Sequence, residues 1–223
     1  MIEQEQTQRL SLFAGFVGLA IFVVAFLITG ATYTEPESSY SIFNHFISEL
    51  GHTYHSPLFE VFSIGVCLSS LFIAVFIVEL GRYLDSFWAK WGMRIGLVSC
   101  VGCFGVGLFP SNYNQLGHLI GGLTFFCLSP VTVILFAIAM YKDPQQRIPK
   151  WYLLPSVLMI VNALLLLLLP NDSVREFLYN QASFDRPYFW IKPFLEWMLF
   201  FTYGFWVFLM SRHIFLAERI KKE

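Results

Sequence analysis

Residues 10–31 read LSLFAGFVGLAIFVVAFLITGA, twenty-two positions without a charge. At about 1.5 Å per helical residue the run covers about 33 Å, enough for a bilayer core of about 30 Å. It is longer than the apolar segment of a secretory leader, about 7–15 residues. No small-x-small cleavage pattern follows it, and Glu3 and Glu5 precede it beside Arg9. The expectation is a retained membrane helix. Five further runs repeat the pattern, giving spans at about 10–31, 57–80, 92–109, 115–141, 151–169 and 188–216. The predicted fold is an all-α integral membrane bundle of six transmembrane helices, with short extracytoplasmic amphipathic helices and no linker dividing it into domains.

Composition agrees. Hydrophobic residues make up 57% and charged residues 13%, against about 25% charged in soluble domains. A net charge of −1 offers no basic surface, so nucleic acid is not an expected partner; membrane lipid is. Eleven of the fourteen Lys and Arg fall near the termini or in and around the second and fourth connections. The positive-inside rule therefore places both termini in the cytoplasm, and the connections at 32–56, 110–114 and 170–187 outside. Trp88, Trp91 and Trp151 would mark the inner interface, Tyr188 and Trp190 the outer one. Cys67, Cys100, Cys103 and Cys127 all lie inside apolar runs. Cys100-x-x-Cys103 has redox spacing but reads as small residues between helices, like Gly92, Gly96, Ser99 and Gly107 around it. Gly117-x-x-x-Gly121 would bring span four close against span three, Pro130 would kink span four, and Leu164–Leu169 would face lipid. Asn162, the clearest polar group at a span centre, is expected to make one interhelical hydrogen bond.

This topology gathers polar residues on one rim. Residues 41–57, SIFNHFISELGHTYHSP, put Phe43, Phe46, Ile47 and Leu50 on one helical stripe. Asn44, His45, Ser48, Glu49 and His52 lie on the other, as in a helix at a membrane surface. Gly51 is placed to end it, and Ser56 to cap the next helix at Pro57. Asn112 and Asn114 lie in the second outer connection, and His118 in the first turn of span four. Ser173-x-x-Glu176, a capping-box pattern, with Val174, Phe177 and Leu178 predicts a second surface helix. Arg175, Arg186, Lys192 and Glu196 are nearby.

Three chemistries fit this rim. Glu49 or His118 could act as a general base, with Ser48 or a water as nucleophile, in a lipid-processing hydrolase or transferase. His52-x-x-His55 with His118 and Glu49 has zinc-ligand chemistry. No H-E-x-x-H or H-x-x-x-H accompanies the pair, so no metal or other cofactor is expected. Asn44, His45, His52, Asn112, Arg186, Lys192 and Glu196 could line a site for a lipid head group, although Lys192 and Glu196, four apart, could simply pair with each other. A transporter fits less well, because the span centres hold almost no charge.

Asn44-x-x-x-Ser48-Glu49-Leu50-Gly51 followed by Pro57, and Phe109-Pro110 followed by His118, resemble two signatures of the domain of unknown function 998 family. The resemblance implies a six-span prokaryotic membrane protein, in the plasma membrane, and no assigned reaction. The layout is similar, more distantly, to eukaryotic autophagy-modulator and GPI-anchor-remodelling membrane proteins. There an Asp stands where Glu49 is here, and a Glu directly follows the proline, whereas here Glu60 is three residues on. The working expectation is an outward-facing pocket built from Asn44, Ser48, Glu49 and His118 that takes a lipid or lipid-linked ligand, with binding, sensing or scaffolding favoured over turnover.

Overall fold

A computed structural model describes residues 2–34, 39–174 and 185–220. Its long helices are α1 (Ile2–Thr32), α2 (Phe59–Leu84), α3 (Phe87–Leu108), α4 (Gln115–Tyr141), α5 (Leu153–Leu168) and α6 (Ile191–Ile220). Six helical stretches are long and apolar enough to cross a membrane, five within these helices and one running from Lys150 through α5. No strand occurs among the described residues. Short 3-10 turns at Ile47–Gly51 and Lys150–Tyr152 complete the set.

Side chains divide as a bilayer requires. Trp206, Phe136, Ile77, Leu80, Met159 and Met210 are fully enclosed between helices. Val98, Val101, Leu164, Leu165, Leu167 and Leu168 are exposed on the outside of the bundle, where lipid tails rather than water are the solvent. Association then depends on close packing and on internal hydrogen bonds. α3 and α4 pack closely because Gly102 and Gly121 face each other. A Cβ on Gly121 would lie 2.8 Å from the Gly102 carbonyl oxygen, and one on Gly102 would lie 2.8 Å from the Gly121 carbonyl oxygen. Gly65 lets α2 meet α1 at Ala25 in the same way. Asn162 donates to the Leu195 carbonyl at 3.0 Å, linking α5 to α6.

Two rims result. The terminal rim carries the start of α1, the end of α6, the α2–α3 link and residues 142–152, and there Phe13 of α1 packs on Phe215 of α6. The loop rim carries residues 33–34, 39–58, 109–114, 169–174 and 185–190.

Local structure departs from the sequence expectations at several points. Residues 41–57 do not form one amphipathic helix. They make turns around the Ile47–Gly51 3-10 segment, and His45 and Glu49 are buried rather than solvated. Gly51 ends that segment without a positive φ. Its small size matters instead, since a Cβ there would come within 3.1 Å of the Phe62 ring. α2 starts at Phe59, with no side-chain cap, and Ser56 contributes only its carbonyl, to Phe59 N at 3.1 Å. α3 begins five residues earlier than the apolar run suggests, because Ser86 Oγ caps it by accepting from Ala89 N. α4 runs through Pro130 without a break. The second surface helix expected from Ser173 onward falls mostly on residues 175–184, with Arg175 and Glu176, outside the described residues.

Candidate functional site

The loop rim is stitched together by its polar side chains. Glu49 Oε1 accepts from Phe46 N at 2.7 Å, closing the first turn of the 3-10 segment on itself. Both Glu49 oxygens also receive Arg186, at 3.3 Å to Oε1 and 2.8 Å to Oε2. This is the planar two-point pairing that guanidinium and carboxylate favour. Arg186 donates further to the Asn44 carbonyl at 2.7 Å, and Asn44 Nδ2 returns a bond to the Pro187 carbonyl at 3.0 Å. One loop therefore holds the other across more than 130 residues of sequence.

The rings of Tyr33, Tyr40 and His45 pack against one another in the same loop. His45 is fully buried, with Nδ1 2.7 Å from Asn44 Oδ1 and 3.2 Å from Ser41 N. Its carbonyl accepts from Trp197 Nε1 at 3.1 Å. Tyr40 donates to the Phe46 carbonyl at 2.9 Å. Burial, reinforced by the neighbouring Glu49 carboxylate, holds the Tyr40 hydroxyl well above its ordinary pKa, so it remains a donor through the physiological range.

The i, i+4 pair Lys192–Glu196 does not form. Lys192 Nζ donates instead to the Leu166 and Leu169 carbonyls, at 2.6 and 2.7 Å. The reason lies in the chain: Pro170 has no N–H to give the Leu166 carbonyl, so that acceptor is orphaned at the end of α5 and the lysine fills it. Glu196 Oε2 instead accepts from Ile47 N at 2.9 Å. Asn112 bridges the second connection to the first, through Thr53 N and Thr53 Oγ1. The His52 and His55 rings lie 4.7 Å apart, and His52 Nδ1 accepts from Tyr54 N at 3.3 Å. Among the described residues no three His, Cys, Asp or Glu converge to hold a metal ion, so His52, His55 and His118 do not form a cage.

Beneath the 3-10 segment lies a cavity of about 30 Å³, room for about two water molecules at 10–15 Å³ each on this measure. Its walls include Phe22, Phe62, Phe125, Phe126 and Phe200, and its polar lining comprises Ser48, His118 and Glu196. Those three come from the loop, from the first turn of α4 and from the second turn of α6. Asn114 starts α4 by accepting from Gly117 N at 2.9 Å. His118 Nδ1 stands 2.8 Å from the Phe109 carbonyl oxygen. Since that oxygen can only accept, Nδ1 carries the proton, and the neutral ring keeps its lone pair on Nε2.

The four residues expected as one pocket therefore separate into two pairs. Ser48 and His118 line the cavity, with Glu196 as the carboxylate beside them. Asn44 and Glu49 belong to the Arg186 fastening above it. Sequence reasoning missed the phenylalanine walls, although the Phe125-Phe126 and Phe200-Phe201 doublets are visible signals. It also read Cys103 only as packing, whereas Cys103 lines the cavity too.

Comparison with known proteins adds a family. The family model described as "Protein of unknown function (DUF998)" matches residues 16–184. No curated protein and no solved structure is similar to the chain, so the more distant eukaryotic likeness gains no support.

Proposed function

Taking as premise that the chain belongs to the DUF998 family, we propose that it binds the polar group of a membrane lipid or lipid-linked ligand in the cavity beneath residues 41–51. In this reading it binds or senses that ligand without turning it over. The loop rim faces outward from a prokaryotic plasma membrane, and both termini are cytoplasmic. One observation carries the reading: Ser48, His118 and Glu196, from three separate elements, line a single aromatic-walled cavity. Most binding sites are apolar enclosures with a few placed polar groups, and this one has that character. The other candidates (Asn44, His45, Glu49, Asn112, Arg186 and Lys192) are engaged with the protein's own groups. They hold the cover and the walls. A cavity of this size admits only a small polar group, so a larger ligand enters with the loop lifted and the Glu49–Arg186 pair open.

The test is lipid retention by purified protein, read by native mass spectrometry. Gly122 lines the cavity, and a Cβ there meets only the Phe126 ring, at 3.8 Å. The Cβ position is therefore open, and Gly122→Leu adds side-chain volume at the cavity wall. The expected result is loss of co-purified lipid in Gly122→Leu and in the Ser48→Ala/His118→Ala double variant. Retention equal to the parent in both would refute the reading. The orientation is tested separately with an impermeant thiol reagent on intact cells carrying Tyr54→Cys or Tyr113→Cys, since both side chains are more than 80% exposed. Labelling without permeabilisation is expected, and labelling only after permeabilisation would reverse the topology.

A second reading, a lipid hydrolase or transferase, draws on the shared placement of Ser48 and His118. His118 Nε2 would take the proton from Ser48, or from a water, as it attacks an ester carbonyl, and would return it to the departing alcohol. Covalent labelling of Ser48 by a fluorophosphonate probe, absent in Ser48→Ala and reduced in His118→Ala, would favour this reading over simple binding.

A further inference from the structure

Six of the cations near the terminal rim fall into two groups. Arg82 pairs with Glu79 at 2.8 Å, Lys90 with Asp85 at 3.1 Å and Arg147 with Asp143 at 3.1 Å. Arg94, Lys142 and Lys150 have no carboxylate partner among the described residues and lie over aromatic rings instead. The distances to the ring centroids are 5.0 Å for Arg94 over Trp91, 5.2 Å for Lys142 over Trp88 and 5.3 Å for Lys150 over Tyr141.

The three stand on adjoining parts of one corner. Trp88 and Trp91 are one turn apart on α3, Tyr141 ends α4 beside Lys142, and Lys150 opens the approach to α5. Arg94 is the informative member. It lies inside the span Phe87–Leu108, about 10 Å along α3 from Phe87 at about 1.5 Å per residue, and its side chain is exposed. An exposed cation at that depth in an apolar span needs a counter-charge. Its guanidinium turns back over Trp91, one turn nearer the rim, as a long basic side chain does when it reaches for the interface. A ring face beneath a cation leaves the other side of the cation available to an anion.

We propose that Arg94, Lys142 and Lys150 form a binding site for the phosphate of an anionic membrane lipid, with Trp88, Trp91 and Tyr141 as its platform. A soluble phosphate would present the same chemistry to the two lysines. The depth of Arg94 within the span selects a phosphate anchored in the bilayer. The site is separate from the loop-rim cavity and stands whether or not the function proposed above is correct.

The experiment compares lipid retention from nanodiscs containing equal phosphatidylglycerol and phosphatidylcholine, using the parent, Arg94→Gln/Lys142→Gln/Lys150→Gln, and Arg82→Gln/Lys90→Gln. All the substituted side chains are exposed or rim-facing, and circular dichroism confirms that each variant is folded. The parent should retain the anionic lipid preferentially. The preference should fall about fivefold for each charge removed from the triad and should be unchanged in the Arg82/Lys90 variant. Arg94→Lys, which keeps the charge, should preserve most of it. An unchanged preference in the triple variant would overturn the proposal. So would equal losses in the two Gln variants, which would reduce the site to net charge alone. Release of the lipid by millimolar inorganic phosphate at constant ionic strength would assign the site to a soluble anion and overturn it as well.

Discussion

Both rims of the bundle are closed by an arginine, and the two arginines do different work. At the terminal rim, Arg147 bonds to Asp143 through Nε and Nη2, each at 3.1 Å, and donates to the Tyr83 and Leu84 carbonyls at 2.6 and 2.8 Å. Its own carbonyl lies 2.6 Å from His213 Nε2. It thereby ties the end of α2, the α4–α5 connection and α6 together, above a core in which Leu80, Leu84 and Ile148 are at most 1% exposed. At the loop rim, Arg186 makes the matching bonds to Glu49 and to the Asn44 carbonyl, but what lies beneath is a cavity with three polar groups on its wall. The same fastening chemistry thus closes a solid floor at one end and a chamber at the other. A clamp over a packed core has only stability to supply. In the function proposed above, a clamp over a polar cavity would also decide when the cavity is open.

The comparison predicts unequal consequences. Arg147→Ala should have the largest effect. It leaves the buried Asp143 carboxylate with its two backbone N–H partners but no counter-charge, and takes a donor from two helix-end carbonyls, for a loss of about 3–5 kcal/mol in thermal or denaturant unfolding. The same clamp has a pH signature. Hydrogen bonds from the Arg147 side chain hold the Asp143 carboxyl below its usual range. Its contribution should be complete above the unfolded value of about 4 and should fade as pH drops through the lower folded value. An acid unfolding curve that is the same in Asp143→Asn and in the parent would contradict this. Arg186→Ala should cost less, about 2 kcal/mol, because it takes a donor from one backbone carbonyl, that of Asn44, where Arg147→Ala takes one from two. Equal losses at the two rims would erase the distinction. Asn162→Leu, in the body of the bundle between the rims, should matter least, at about 0.6 kcal/mol for one interhelical bond. It serves as the baseline against which either clamp is judged.

Much of this architecture was legible in the chain, and the reason is physical. A bilayer demands a minimum apolar length, so the six crossings announce themselves as runs, and the small residues of α3 and α4 declare their own close approach. Helix starts were less legible. Phe87–Trp91 contains Lys90, so hydropathy undervalues a turn that Ser86 in fact caps. Polar pairings were the least legible. Lys192 and Glu196 have the spacing of a helix ion pair, yet each is claimed by a stronger demand from elsewhere: a proline-orphaned carbonyl for the lysine, and the Ile47 amide for the glutamate. Arg186 and Glu49 are separated by most of the chain, and no local rule joins them. The family signature residues were visible as a group. That they divide into a cover, Asn44 and Glu49, and a cavity wall, Ser48 and His118, could be read only once the loop was seen to fold down as a 3-10 turn.

Cys103, on the cavity wall, gives the most direct test of the idea that the loop rim covers a chamber and the terminal rim a floor. With Cys67, Cys100 and Cys127 replaced by alanine, the rate at which a small neutral thiol reagent modifies Cys103 reports access to the cavity. Arg186→Ala should raise that rate about tenfold or more, the shift in open population produced by about 1.4 kcal/mol of lost closure, while Arg147→Ala leaves it where it was. A rate unchanged by Arg186→Ala, or raised as much by Arg147→Ala, would contradict the account.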